Sequence, residues 1–155
     1  MDPRYFEDWK AGNRIETLSR TVGDAEISAF IALGGFFEEL FMSEEYALKS
    51  SPFGKRIAPG ALTFAFAEGL IILTGCIHGV GMALVSVEQM TFRRPVFAGD
   101  TIRVVVEVAE TRPTSRPDRG VVKFTHTVVN QRGETVMECV VTRMLRRRQP
   151  VTTST

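Results

Sequence analysis

The chain has 155 residues, nineteen Lys and Arg against eighteen Asp and Glu, a formal charge of +1 and 44 % apolar residues. That is room for one domain with its own core rather than two, and the near balance of charge offers no basic field for nucleic acid or an anionic membrane surface. Two cysteines, Cys76 and Cys139, are too few for a disulfide framework and stand among apolar neighbours, so they read as buried thiols of an intracellular, cytoplasmic protein.

The first residues mix both charges and lack the apolar core of a signal peptide. Residues 1–22 read as a leading segment ending in a strand, with Ile15, Leu18 and Val22 apolar. Asp24 is the expected N-cap of a short helix carrying Ile27, Phe30, Ile31 and Gly34 at helical spacing, and Gly34-Gly35 stops it. Phe36 to Met42 is a second helical stretch, and Ser43 with Glu44 and Glu45 starts a third that runs to about Lys49. Pro59-Gly60 then opens the run Ala61 to Ile77, apolar on every face. With Glu68 at its centre, breaks at Gly69 and Gly75, and a length below the roughly twenty residues of a membrane span, it is predicted to be a helix enclosed by protein.

After Gly81 the period changes to two. Leu84 to Phe92 is a strand, followed by a turn at Pro95 and Gly99-Asp100. Ile102, Val104, Val106 and Val108 alternate with Arg103, Val105, Glu107 and Ala109, the mark of a half-buried antiparallel strand. Glu110 to Gly120 is expected to be a polar loop, Val121 to Val129 and Thr135 to Leu145 a pair of strands, and residues 149–155 a flexible tail behind a single domain over 1–148. The sum is an α+β fold, a curved antiparallel sheet wrapped around a long central helix.

The chain has no phosphate-binding glycine loop, no CxxC, no HExxH and no GxSxG. Two histidines far apart in sequence make no metal site. His126 shares a strand face with Val122, Phe124 and Val128 and reads as a satisfied core or interface histidine; His78 follows the apolar helix, where the dipole favours it.

Several short motifs, in order, carry a resemblance: residues 53–60 (Phe-Gly-Lys-Arg-Ile-Ala-Pro-Gly), Ala67-Glu68-Gly69, residues 92–101 (Phe-Arg-Arg-Pro-Val-Phe-Ala-Gly-Asp-Thr) and residues 129–136. The chain resembles the MaoC-like dehydratases, which include the (R)-specific enoyl-CoA hydratases. The resemblance implies a hot-dog fold, usually dimerised, and addition of water to an enoyl-CoA or its reversal, with CoA present as part of the substrate and no other cofactor. It also implies a carboxylate and an imidazole that handle water and proton, from a Gly-Asp-x-Asn-Pro-x-His segment, and a backbone N–H at the start of the central helix that meets the thioester oxygen.

Here that segment reads Gly35-Phe-Phe-Glu-Glu-Leu-Phe41, with Tyr46-Ala47 in register. Phe36 stands at the Asp position and Phe41 at the His position, and phenylalanine neither takes nor gives a proton. The oxyanion element is retained at Gly60. Glu38 and Glu39 are the only ionisable groups in the altered segment and are the candidate replacement bases, if apolar neighbours raise one of them toward the working range; the other reading is a solvated helix face. Glu68 is either the carboxylate of a hot-dog thioesterase or a structural partner for an arginine such as Arg93. Phe36, Phe37, Phe41 and Phe53 are either core or the wall of an acyl pocket, and Lys55, Arg56, Arg93 and Arg94 are candidates for the phosphates of CoA. A lone sheet with a free edge argues for a homodimer. Loss of the acid–base pair leaves three functions in play: hydration of an enoyl-CoA by a relocated carboxylate, a binding subunit that serves a catalytic partner, and an acyl-CoA thioesterase that uses Glu68.

Overall fold

Period-two runs of valine and isoleucine form four long antiparallel strands in the computed structural model, which describes residues 1–148; the tail expected over 149–155 lies outside them. Two short strands, β1 (Arg14–Glu16) and β2 (Arg20–Thr21), lead into helices α1 (Asp24–Gly34), α2 (Glu39–Met42), α3 (Glu44–Ser50) and α4 (Gly60–Leu73). The long strands follow: β3 (Gly81–Phe92), β4 (Thr101–Pro113), β5 (Arg119–Val129) and β6 (Thr135–Arg146). The sheet order is β1-β4-β5-β6-β3, with β2 also on β4. Ile102, Val104, Val106 and Val108 of β4, Val122, Phe124 and Val128 of β5, and Met137, Cys139 and Val141 of β6 form one buried face, and Leu62, Ala67, Leu70 and Ile71 of α4 complete the core with it. This is the α+β hot-dog arrangement that the sequence implies.

Four expectations are corrected. Glu110 to Gly120 is not all loop: Glu110 to Pro113 stay paired with Lys123 to Gly120, because β4 and β5 continue past the polar side chains and Pro113 falls at the strand end where a missing N–H does no harm. Leu18 is 72 % exposed, and Thr17 turns inward in its place, its Oγ1 accepting from the Val104 N–H at 2.9 Å. Asp24 is the first helical residue rather than the cap: Gly23 is the N-cap, and its N–H donates to Glu26 at 2.8 Å. Residues 36–38 are a turn, so the second helix is the single turn of α2. Ser43 caps α3 as expected, accepting from the Tyr46 N–H at 3.0 Å.

The largest difference concerns α4. It ends at Leu73, where the Thr74 hydroxyl donates to the Ile71 carbonyl at 2.7 Å and Gly75 turns the chain at a φ of 81°. It is enclosed on one side only. Ala61, Ala65, Gly69, Ile72 and Leu73 are exposed, because the sheet of one chain covers the face that carries Leu62, Ala67, Leu70 and Ile71 and no other. Beside the open face lies β3, an end strand bonded among the described residues only to β6, with Leu84, Val85 and Phe92 about half exposed. Among the described residues no helix is long and apolar enough to cross a membrane.

Ile102 is fully buried on β4. Ile102→Ala is expected to lower the free energy of urea unfolding by about 2–5 kcal/mol, from lost transfer energy and a partly collapsed cavity. Val105→Ala on the outer face should shift it by less than half as much.

Candidate functional site: an apolar groove at the start of helix α4

A groove of about 440 Å³ opens where four segments converge. Leu40 and Phe41 come from α2, Phe53, Ile57 and Ala58 from the loop before α4, and Gly60, Ala61 and Thr63 from its first turn; Phe92 to Val96 close the far wall. The walls are tied together by backbone: the Ala58 N–H donates to the Val96 carbonyl at 2.8 Å, and Ile57 bridges Phe97. Pro59 is the N-cap of α4 and Gly60 its first residue, so the Gly60 N–H is one of the four donors a helix leaves unused, at the positive end of the dipole. A Cβ on Gly60 would lie 2.7 Å from the Phe92 ring, so only glycine lets Phe92 close over the helix start.

The altered segment divides. Gly35 caps α1 in the left-handed region at a φ of 72°, and the Phe36 N–H donates to the Ile31 carbonyl at 3.0 Å. This folds the Phe36 ring back onto Phe30, with centroids 5.3 Å apart, and against Phe41 at 6.2 Å. Of the aromatic candidates, Phe41 and Phe53 line the groove; Phe36 packs beneath it and Phe37 is 68 % exposed. Glu38 and Glu39 are both exposed and neither lines the groove. No Asp, Glu or His is among its lining residues.

The cations also divide. Arg56 is held by Asp24 and Glu44 and donates to the Ser28 hydroxyl at 3.2 Å, so it clamps α1 to α3 and is not free for a phosphate. Arg93 and Arg94 line the groove mouth with exposed partners, Glu138 at 2.9 Å and Glu134 at 3.8 Å, and the Lys55 ammonium lies 4.3 Å from the centre of the Phe97 ring. Sequence reasoning missed Phe92 and Thr63 as lining residues. Both belong to runs read as strand or helix, and only the tertiary fold turns them toward one opening.

Glu68 is bound to Arg143 of β6, not to Arg93. His126 lies beside the same pair, its Nδ1 3.6 Å from Glu68 Oε1. It is core, as expected, but not satisfied: neither ring nitrogen has a hydrogen-bond partner among the described residues. Burial, with the Arg143 charge alongside, pushes its pKa down to about 3. His78 lies exposed in the turn after α4. No group of three or more His, Cys, Asp or Glu among the described residues is placed to hold a metal.

A sheet wrapped around a helix, with an apolar groove at the helix start, defines a hot-dog domain built around its helix N-terminus. Residues 9–130 match the family model described as the MaoC like domain, and the chain belongs to that family. It is 36 % identical over 117 residues to 3-hydroxybutyryl-CoA dehydratase of Methylorubrum extorquens, covering 74 % of this chain and 70 % of that protein. It is 30 % identical over 116 residues to (R)-specific enoyl-CoA hydratase of Aeromonas caviae, covering 75 % and 81 %. Two further relatives are longer proteins, of which the chain spans 29 % and 42 %. Among solved structures, the monoamine oxidase regulatory protein of Archaeoglobus fulgius superimposes with a TM-score of 0.86 at 36 % identity, over 96 % of this chain and 98 % of that one.

The state of His126 makes stability depend on pH. Its pKa is about 3 in the folded chain against 6.5 unfolded, so between those values the unfolded chain binds the extra proton and stability falls as pH falls. From just below pH 6.5 to pH 5 the wild type is expected to lose up to about 1.4 kcal/mol per pH unit more than His126→Phe in urea unfolding; parallel curves for the two proteins would contradict this. Arg143→Leu strands a nearly buried Glu68 carboxylate and is expected to cost about 3–5 kcal/mol, with Glu68→Gln in the same background recovering part of it.

Proposed function

We propose that this chain binds an acyl-CoA thioester in the groove and does not itself hydrate it, acting as the binding subunit of a dehydratase assembly. One observation carries the reading: the groove is lined by apolar side chains and a free helix N-terminus, and phenylalanine occupies both positions at which the resemblance expects an acid and a base. The acyl group lies against Phe41, Phe53 and Phe92, and the thioester oxygen accepts from the Gly60 N–H, where the helix dipole favours developing negative charge. Arg93 and Arg94 line the mouth and are the candidates for the CoA phosphates, with Lys55, which lies over the Phe97 ring, a further candidate. The exposed ion pairs that engage Arg93 and Arg94 are each worth at most about 1 kcal/mol, so exchange of Glu138 and Glu134 for phosphate is easy. CoA enters as part of the ligand, and no other cofactor is called for.

Assembly follows from the same surface. A free β3 edge beside an apolar α4 face is a surface that a second sheet covers. A second copy gives the homodimer; a related hot-dog chain that keeps the acid and the base gives a competent pair. The second reading, hydration by Glu38 or Glu39, rests on their place directly before Leu40 and Phe41, which line the groove.

Titration of the purified protein with saturated and trans-2-enoyl-CoAs in a calorimeter, alongside the decay of enoyl-thioester absorbance, separates these readings. Binding without turnover is expected. Gly60→Val should weaken binding at least tenfold with an unchanged circular dichroism spectrum. Turnover that collapses in Glu38→Gln or Glu39→Gln would overturn the binding-subunit reading and establish the relocated base. Absence of binding to any acyl-CoA would overturn both.

A further inference from the structure

Between α4 and the sheet, away from the groove, three polar side chains meet inside the apolar core: Glu68 of α4, His126 of β5 and Arg143 of β6. His126 is 0 % exposed and Arg143 7 %. One Glu68 oxygen accepts from Arg143 Nη2. The other, Oε1, stands 3.6 Å from His126 Nδ1, and neither it nor either imidazole nitrogen has a hydrogen-bond partner among the described residues. An orphaned buried polar atom keeps its full desolvation cost, and the large majority of such atoms in native cores have a partner. Against His126 lies a cavity of about 10 Å³, walled by Trp9, Ile71, Phe124 and Cys76 and reached by Arg143. That is about the least volume that holds a water; Ile15 and Val106 complete walls that are apolar except where His126 and Arg143 reach them.

We propose that Glu68, His126 and Arg143 form a site for a single internal water. A neutral imidazole has one donor and one acceptor. The nitrogen that faces the Glu68 carboxylate must be the donor, because the other tautomer would set two lone pairs against each other across 3.6 Å. Nδ1–H therefore closes onto Glu68 Oε1, which leaves Nε2 as an acceptor. A water in the cavity donates to Nε2 and accepts from a guanidinium N–H of Arg143 that Glu68 does not use. Each orphaned atom then has a partner, and the chain Arg143–Glu68–His126–water closes on Arg143 again. The alternative of a charged imidazolium is opposed by burial and by the neighbouring guanidinium, the two causes of its low pKa. This ring ties α4 to both central strands, and it is independent of what the groove binds.

The test is long-range ¹H–¹⁵N correlation NMR of the histidine side chains, together with cross-relaxation between water and the protons that wall the cavity. His126 is expected to show the Nδ1–H tautomer, and the Trp9 and Phe124 ring protons to show cross-peaks to a long-lived water. Glu68→Gln keeps an acceptor facing Nδ1 and should keep the tautomer and the water peaks; Glu68→Leu should lose both. Should Glu68→Leu fail to fold, the wild type and Glu68→Gln suffice. An Nε2–H tautomer or an imidazolium in the folded wild type, or no water cross-peaks at the cavity, would overturn the proposal.

Discussion

The packing of α4 onto the concave face of the sheet is the contact on which everything else depends. It brings Leu62, Ala67, Leu70 and Ile71 against β4, β5 and β6. It also fixes where the helix begins, and hence where the Gly60 N–H points. A helix with so little amphipathic character has no preferred face of its own. Its orientation is decided by Glu68, the one charge on it, which reaches Arg143. Rotation by one residue position would leave that carboxylate without its partner, so the polar pair selects among packings that hydrophobic burial alone would leave close in energy.

The groove is a consequence of this geometry rather than a separate construction. A helix that starts against the end of a sheet leaves its first N–H groups free, and the segments that bring the chain to that point become the walls. The residues that build the turns are the ones that carry the family motifs. Asp100 accepts from the Phe97 N–H at 2.9 Å and from Gln131 at 2.8 Å, and Asn130 accepts from the Arg132 and Glu134 N–H groups at 3.0 and 3.1 Å. Gly99 turns at a φ of 91°. These motifs specify how the loops close, not what chemistry takes place between them.

That explains what was legible in the sequence. The alternation of Ile102 to Val108 is a local signal and it located β4 to within a residue at its start. The end of β4 was not legible, because Glu110 to Pro113 have loop composition and are held as strand only by their neighbours in β5. The apolar run after Gly60 located α4 but overstated its enclosure, since composition on all faces cannot say which of them one chain covers and which a second must. Gly60, Phe41, Phe53 and Arg93, singled out from the sequence as candidates, all line the one groove. Phe36 was not separable from Phe41 by sequence, because the Gly35 cap folds Phe36 back onto Phe30 while the turn at residues 36–38 starts α2 and carries Phe41 to the groove. His126 was legible as buried but not as unpaired; that depends on a carboxylate 58 positions away in the chain.

Phenylalanine at the two positions where the resemblance expects an acid and a base bears on more than reactivity. A carboxylate and an imidazole at a groove must be held in place by hydrogen bonds and carry the cost of partial desolvation. Phe36 and Phe41 instead join Phe30 in an aromatic cluster, in which each favourable pair adds about 0.5–1.5 kcal/mol beyond the area it buries. The segment therefore contributes to the core here, whereas a catalytic segment draws stability from its surroundings. Because the Phe36 ring points to α1 and not into the groove, putting an acid back at that position would bury a carboxylate against Phe30 rather than aim it at a substrate. On the binding-subunit proposal the chain contributes the groove, the helix start and the open edge, and none of these requires the turn at Gly35 to change.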